Sequence, residues 1–375
     1  MKILITGGLG FIGSNLVRTL VAKGQYDIKI IDSLIGKVHE TERNIADEMR
    51  MLGAKVRIMD IRALSDEPDF ISDRDVIVHL AAETGTAQSM YQVDQYVDVN
   101  CRGTAVLLDM IMNKVLNPKK IILASSRSIY GEGAKICSEH GIVYPVSRSS
   151  NDLHDKFWSL RCPICKTQTQ SAATPEDAPV VCASIYAHSK YSQEELLRIG
   201  CLAKNIDFVA LRFQNVYGAG QSLKNPYTGI LSIFSNRIKQ NMTLPLFEDG
   251  EMGRDFVYVS DVVESICLAI ESQRLAHQVY NIGSGELVSI REVTEKLLAC
   301  FKSSSEVIIT GEYRIGDIRA CFADIRRAQS DLGFTPVITL EDGLHRFAEW
   351  VKTQPLYDDG LAAANRELHS RDLMK

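Results

Sequence analysis

The sequence predicts a doubly wound α/β protein, a parallel sheet covered by helices on both faces with a smaller mixed α/β lobe beside it. Three observations predict it. Apolar runs recur at 3–5, 28–31, 55–59, 76–80, 120–124 and 207–211 with helical patterns between them, the alternation expected of strand-helix-strand crossovers. A glycine turn, Gly7-x-x-Gly10-x-x-Gly13, separates the first run from the first helical pattern. Beyond residue 212 the alternation gives way to shorter elements punctuated by Pro226, Pro245, Gly250 and Gly253.

Ile3 to Ile5 is a short buried strand, and Ser14 to Val21 opens a helix, with Phe11 and Ile12 at the bend between them. Glycines there let backbone N–H groups approach an anion with no Cβ in the way, and the positive end of the helix dipole faces the same point. The run 28–31 ends in Asp32, about twenty residues past the last glycine, where a carboxylate binds a ribose 2′-hydroxyl and repels a 2′-phosphate. NAD is therefore expected rather than NADP. Residues 75–80, Asp-Val-Ile-Val-His-Leu, are the continuous apolar run of a strand buried on both faces, with His79 packed at its end.

These elements divide the chain into a dinucleotide-binding domain over 1–212, a lobe over 213–350 that covers the carboxyl edge of the sheet, and a polar surface tail over 351–375. Helical patterns return inside the lobe at 260–271 and 290–302. The interval 132–182 breaks the alternation, being rich in Ser, Thr and Asp with no periodic apolar run, and reads as an insertion between a strand and the next helix.

With 375 residues the chain can bury a full core, and a net charge of −5 without a basic stripe argues against nucleic acid and anionic membranes as partners. No segment approaches the ~20 apolar residues of a membrane span, and the first strand begins at residue 3, so a cytoplasmic location is expected. Nine cysteines in such a setting are thiols or metal ligands rather than disulfides. Cys101, Cys201, Cys267, Cys300 and Cys321 stand singly and read as small core residues.

Chemistry is expected at the carboxyl edge of the sheet, where the run 120–124 leads into Ser125-Ser126-Arg127-Ser128. Tyr186 and Lys190, four residues apart, share one helix face. A nearby ammonium lowers a phenol's pKa by stabilising the phenolate, which would make Tyr186 a general base at neutral pH.

Together these features resemble the extended short-chain dehydrogenase/reductases that act on nucleotide-activated sugars, a Rossmann-fold family. The resemblance spans nearly the whole chain: the glycine turn, Asp60-Ile61, His79-Leu80-Ala81-Ala82, Asn100, Ser125-Ser126, Tyr186 with Lys190, Leu211-Arg-Phe-Gln-Asn215-Val-Tyr-Gly, Arg254-Asp-Phe-Val and Arg314-Ile-Gly-Asp317. It implies Ser126, Tyr186 and Lys190 as the catalytic trio, with Asp60, Ile61, Leu80, Ala81, Ala82 and Asn100 near NAD. It further implies that Ser126, Arg127, Asn215, Arg254, Arg314 and Asp317 hold the nucleotide sugar, a role for which guanidinium forks suit the diphosphate. The family's 4,6-dehydratases carry Thr-Asp-Glu where this chain has Ser126-Arg127-Ser128, so dehydration is disfavoured. What remains is oxidation at C4, turning of the ketosugar and hydride return to its other face, with NAD recycled.

The stretches Gln88-Ser-Met-Tyr91, Tyr96-Val-Asp-Val-Asn-Cys-Arg-Gly-Thr-Ala, Asn225-Pro-Tyr-Thr-Gly229 and Tyr313-Arg-Ile-Gly-Asp-Ile-Arg are similar to those of dTDP-L-rhamnose 4-epimerases. They imply conversion of dTDP-L-rhamnose to dTDP-6-deoxy-L-talose, with Met90 and Phe213 as an apolar rim for a 6-deoxy sugar. A net sugar-nucleotide dehydrogenase or decarboxylase is the alternative enzyme, and a dinucleotide sensor without chemistry the alternative of another class. The family's habit implies a homodimer packed through helices at 100–112 and 186–200.

Within the insertion, Cys162-Pro-Ile-Cys165 is flanked by Cys137 and Cys182. Four thiolates can close a tetrahedral structural zinc site and steady a loop too polar to pack alone. His140 and His154 are the alternative ligands.

Overall fold

The computed structural model describes residues 1–34, 42–227, 229–273, 275 and 278–375. Its centre is a seven-stranded sheet whose strands run, edge to edge, Lys55–Ile58, Asp27–Asp32, Lys2–Thr6, Val76–His79, Lys120–Ser126, Asp207–Phe213 and Gln278–Ile282. Every pairing in it is parallel. All six apolar runs read from the sequence are strands of this sheet, and the fold class is the doubly wound one. Ile3, Leu4, Ile5, Ile77 and Val78 are wholly buried because helices cover both faces, which is why these runs carry no polar alternation.

The strand order reverses between Lys2–Thr6 and Val76–His79, and that switch point is where open α/β sheets bind ligands at their carboxyl edge. Helix Phe11–Lys23 starts there directly after the glycine turn and is closed by Gly24 in the left-handed conformation, φ 72°.

The seventh strand was not expected. Gln278–Ile282, with helix Val259–Glu271 before it, comes from the interval assigned to the second lobe, yet it completes the central sheet beside Asp207–Phe213. The boundary at 212 is therefore not a clean one. Its polar residue Asn281 is fully buried and bonded inward to Tyr130 and to the carbonyls of Thr174 and Asp324, so the run lacks a continuous apolar pattern.

Residues 351–375 do not form a surface tail. Helix Leu361–His369 buries Leu361, Ala364 and Leu368, Met374 is also buried, and Arg314 pairs with Met374 in an isolated bridge. The apolar positions recur at helical spacing, and burying them anchors a segment whose other residues are polar. The insertion is a small antiparallel sheet of Gly141–Val143, Lys135–Cys137 and Gln170–Ser171. No helix among the described residues is long and apolar enough to cross a membrane.

Candidate active site

A cleft of about 460 Å³ opens at the switch point, with the glycine turn at one end and Ser126, Arg127, Tyr186, Lys190 and Asn215 at the other. Gly7 has φ +71°, and a Cβ on it would come within 2.7 Å of the Ala81 amide nitrogen. A Cβ on Gly13 would lie 2.4 Å from the Gly7 carbonyl. These two glycines let the turn, the neighbouring strand end and the helix pack in contact, while Gly10 faces the cleft with backbone alone. Asp32 ends its strand and accepts hydrogen bonds from Leu9 N and Leu34 N, both at 2.9 Å, so the carboxylate that faces the cleft also shapes the glycine turn. Phe11, Ile12, Asp60, Ile61, Leu80, Ala81 and Ala82 line the same wall. Asp60 is held by the Arg62 guanidinium at 2.6 Å, which keeps its carboxyl below the usual range. The shape and the donors fit a dinucleotide, with the turn at its pyrophosphate and Asp32 at a ribose.

Asn100 is the exception among the expected cofactor residues, for it is fully buried and does not line the cleft. It sits in a π-helical segment, Val97–Arg102, accepts from Glu83 N at 2.8 Å and donates to Glu83 O and to Ser189 Oγ. Its amide therefore locks the loop after Val76–His79 to the helix of Tyr186. An extra backbone residue in the turn re-aims a side chain in just this way.

Tyr186 and Lys190 lie on helix Ile185–Lys204, which Ser184 caps by accepting from Ala187 N at 3.1 Å. Their electrostatics differ from the sequence expectation. Burial raises the Tyr186 phenol, and its stabilising neighbours are the Ser126 hydroxyl and the Arg127 charge rather than Lys190. The Lys190 ammonium instead donates to Gln193 Oε1 at 2.7 Å, and burial pulls it down to about 8. The spacing does place both groups on one face, but it could not reveal that a glutamine one turn on would take the ammonium.

Gln193 continues into a buried polar chain, its amide reaching His79 Nε2 at 3.2 Å and Thr104 Oγ1 at 2.8 Å, while Thr6 Oγ1 meets His79 Nδ1 at 2.7 Å. His79 is a packed strand-end histidine, as read from the sequence, and burial with the Lys190 charge nearby lowers it to about 3 from 6.5. Between those values the unfolded chain binds a proton that the native one refuses, so His79 contributes a loss of stability as pH falls from 6.5 towards 3. Each unit is worth about 1.4 kcal/mol. We expect the melting temperature of a His79→Gln variant to fall less steeply with acidification than that of the parent; equal slopes in thermal scans would remove His79 from the balance.

Behind the hydroxyl-bearing strand end, Ser125 Oγ donates to Glu194, which pairs with Arg212 at 2.8 Å. Arg212 reaches Tyr130 OH at 2.8 Å and the Glu176 carbonyl. Ser126 Oγ accepts from Ser128 N and Ser128 Oγ, and Arg127 donates to Asn215 Oδ1 at 3.1 Å across the cleft.

Of the expected substrate residues, Ser126, Arg127 and Asn215 line the cavity, whereas Arg254, Arg314 and Asp317 are not among its lining residues. Arg254 is 7 % exposed and is pulled down to about 10 by burial and by Arg127. Arg314 lies over the Phe247 ring and donates to Asn365 Oδ1 at 2.9 Å, with its Nε unpartnered. Asp317's charge acts on both arginines. Phe213 lines the cleft and Met90 does not.

Sequence reasoning missed Gln214, 5 % exposed, whose amide oxygen and nitrogen both lack a partner beside the cleft. It stands inside the stretch Leu211-Arg-Phe-Gln-Asn215, but nothing in its spacing separates a core amide from one that faces a ligand. Tyr227, also in the lining, was likewise missed; its hydroxyl donates to Glu367 at 2.6 Å.

The four-cysteine metal set is corrected. Cys137, Cys162 and Cys165 converge, but the fourth member of the cluster is His140. Cys182 packs in a separate apolar group with Ile129 and Tyr130, where burial pushes its thiol up to about 11. His154 ends a short helix elsewhere in the insertion.

Comparison with known proteins agrees with this geometry. Residues 3–150 and 163–283 match the NAD dependent epimerase/dehydratase family. The dTDP-L-rhamnose 4-epimerase of Burkholderia thailandensis is 34 % identical over 353 residues, covering 93 % of this chain and 94 % of that one. The putative UDP-glucose 4-epimerase of Methanocaldococcus jannaschii is 29 % identical, covering 93 % and 98 %. Among solved structures, UDP-glucose 4-epimerase of Thermotoga maritima with UDP-glucose superposes with a TM-score of 0.77 at 27 % identity, covering 94 % and 99 %. UDP-glucuronic acid 4-epimerase of Bacillus cereus with UDP-glucuronic acid and NAD gives 0.76 at 26 %, with the same coverage.

Proposed function

The chain belongs to the NAD dependent epimerase/dehydratase family, and from that premise we propose that it is an NAD-dependent sugar-nucleotide 4-epimerase whose substrate is a 6-deoxyhexose on a nucleoside diphosphate, dTDP-L-rhamnose giving dTDP-6-deoxy-L-talose. The observation that carries the reading is that Tyr186, Ser126 and Lys190 line the same cleft as the glycine turn and Asp32. In this reading the phenol, buried at the carboxyl edge of the sheet, stands between the dinucleotide and the sugar. The 34 % identity to the rhamnose enzyme over 93 % of the chain supports the choice of sugar.

In this reading Tyr186 takes the proton of the 4-hydroxyl, and Ser126, which lowers the phenol, holds the same oxygen. Bound NAD would supply the hydride acceptor and donor. The Arg127 charge favours the phenolate, while Lys190, held by Gln193, lines the same wall of the cleft. Arg127 and Asn215 hold the diphosphate and the sugar, with Arg254 and Arg314 lending positive potential. The unpartnered amide of Gln214 binds a sugar hydroxyl, because a buried amide left without a partner costs about 1–3 kcal/mol that a ligand group can recover. Phe213 offers the apolar surface that a 6-deoxy carbon needs. Serine and arginine at 126–128 leave those positions without the carboxylate acid and base that eliminating water across C5–C6 requires. The cysteine–histidine cluster lines no part of the cleft and takes no step in this reaction. Exposed Val97 on the segment Val97–Arg102, and exposed Ile199 and Leu202 on helix Ile185–Lys204, support a homodimer through these elements.

The test is nuclear magnetic resonance of purified protein with a panel of dTDP- and UDP-sugars, with absorbance followed for NADH. Interconversion of the two C4 epimers of a dTDP-6-deoxyhexose without accumulating NADH is the expected result. Steady NADH formation would instead make the protein a net dehydrogenase, and turnover of UDP-hexoses alone would overturn the choice of sugar.

A further inference from the structure

The insertion holds four side chains whose arrangement the proposed reaction leaves unexplained. The ligand atoms of Cys137, His140, Cys162 and Cys165 all lie within 4.8 Å of one another. Cys137 Sγ is 3.5 Å from Cys165 Sγ and 3.6 Å from His140 Nδ1, and Cys162 Sγ is 3.8 Å from that same nitrogen. A tetrahedral zinc ion with bonds of about 2.3 Å to sulfur and about 2.0 Å to nitrogen has edges of about 3.7 Å between sulfurs and about 3.5 Å between sulfur and nitrogen. The three separations given above match those edges to within about 0.3 Å.

The backbone around it is built in two matching turns. Cys137-Ser-Glu-His140 is followed by Gly141 at φ +66°, and Cys162-Pro-Ile-Cys165 by Lys166 at φ +63°. Each pair of ligands thus has two residues between them and is followed by a left-handed residue that turns the chain back. At Lys166 a non-glycine residue adopts that conformation, and a ligand-held turn gives a reason for it. Ile164 N points at Cys162 Sγ at 3.4 Å, and Cys162 N donates to Thr167 O at 2.7 Å, so a backbone amide faces the sulfur as a thiolate requires. The apolar group at this point consists of Cys137, Val143, Cys162 and Cys165 alone, which is too little to hold a three-stranded sheet by burial.

We propose that Cys137, His140, Cys162 and Cys165 bind one structural zinc ion that staples the insertion. Cys182 takes no part in it. A closed set of three thiolates and one imidazole leaves no open coordination position, so the ion is structural and not catalytic. The staple acts on the sheet edge behind the cleft. Lys135, on the strand of Cys137, donates to the carbonyls of Glu132 and Ala320 at 2.6 Å. Ala320 pairs in register with Gly253, next to Arg254.

The test is metal analysis of full-length protein purified without chelator. One zinc per chain is expected in the parent and in Cys182→Ser, and less than a tenth of that in Cys162→Ser and in His140→Ala. Cobalt substitution of the parent should give the intense visible bands of tetrahedral cobalt–thiolate coordination, a readout that does not depend on any variant folding. A mercurial titrant should release zinc in step with three thiols. Substoichiometric zinc in the parent with three freely titrating thiols would overturn the proposal, as would loss of zinc in Cys182→Ser. A Cys137–Cys165 disulfide found by mass mapping would overturn it as well. None of these readouts depends on turnover, so failure of the epimerase reading would leave them standing.

Discussion

Tyr186→Phe is expected to lower turnover by about 10²–10⁴-fold, the usual contribution of a positioned general base, while leaving NAD affinity and stability within twofold of the parent. The substitution removes one oxygen and keeps the ring. Its edge contact with Tyr96, centroids 6.4 Å apart at 84°, is preserved, and so is the hydrogen bond from Tyr186 N to Ser89 Oγ at 3.0 Å. What is lost is the only part of the residue that can carry a proton. Turnover by nuclear magnetic resonance and bound dinucleotide by absorbance after denaturation check the two halves separately. Epimerisation within tenfold of the parent would put the base elsewhere in the cleft.

Glu194→Ala is expected to destabilise the fold by about 3–5 kcal/mol, the cost of leaving one partner of a buried ion pair uncompensated. The Arg212 and Glu194 side chains are 6 % and 4 % exposed and meet at 2.8 Å. Arg212 would keep Tyr130 OH and the Glu176 carbonyl, neither of which neutralises a cation, and Ser125 Oγ would lose its acceptor. Because this cluster lies directly beneath Ser126, chemical denaturation should show the lower midpoint first, with activity falling as the strand end loosens. A change below 1 kcal/mol would mean that water reaches the guanidinium.

The strands were legible wherever burial on both faces demanded an unbroken apolar run, as at Ile3–Ile5 and Val76–Val78. Gln278–Ile282 was not, because Asn281 is buried with its amide satisfied internally, and a strand that solves its hydrogen bonding through side chains looks like a loop in sequence. The nucleotide half of the cleft was legible for a related reason: glycines at fixed offsets and an aspartate at a strand end answer to backbone geometry, which spacing encodes. The sugar half was not. Whether or not Arg254 lines the cavity depends on packing among the insertion, the Gly253–Arg254 strand and the Ala320–Ala323 strand, which are far apart in the chain. His140 stood three residues from Cys137 at a spacing that matches Cys162 and Cys165, so the convergent set could have been read by giving imidazole the same weight as thiol.

The position of the last helix bears on how the protein can be handled. Glu367 receives the hydroxyls of Tyr91 and Tyr227, Asn365 receives Arg314, and Lys375 N and O are both tied to Tyr313. An affinity handle or fluorescent fusion appended there would be grafted onto the segment that braces Tyr227 of the cleft wall, so kinetic constants gathered from such a version would describe the graft as much as the enzyme.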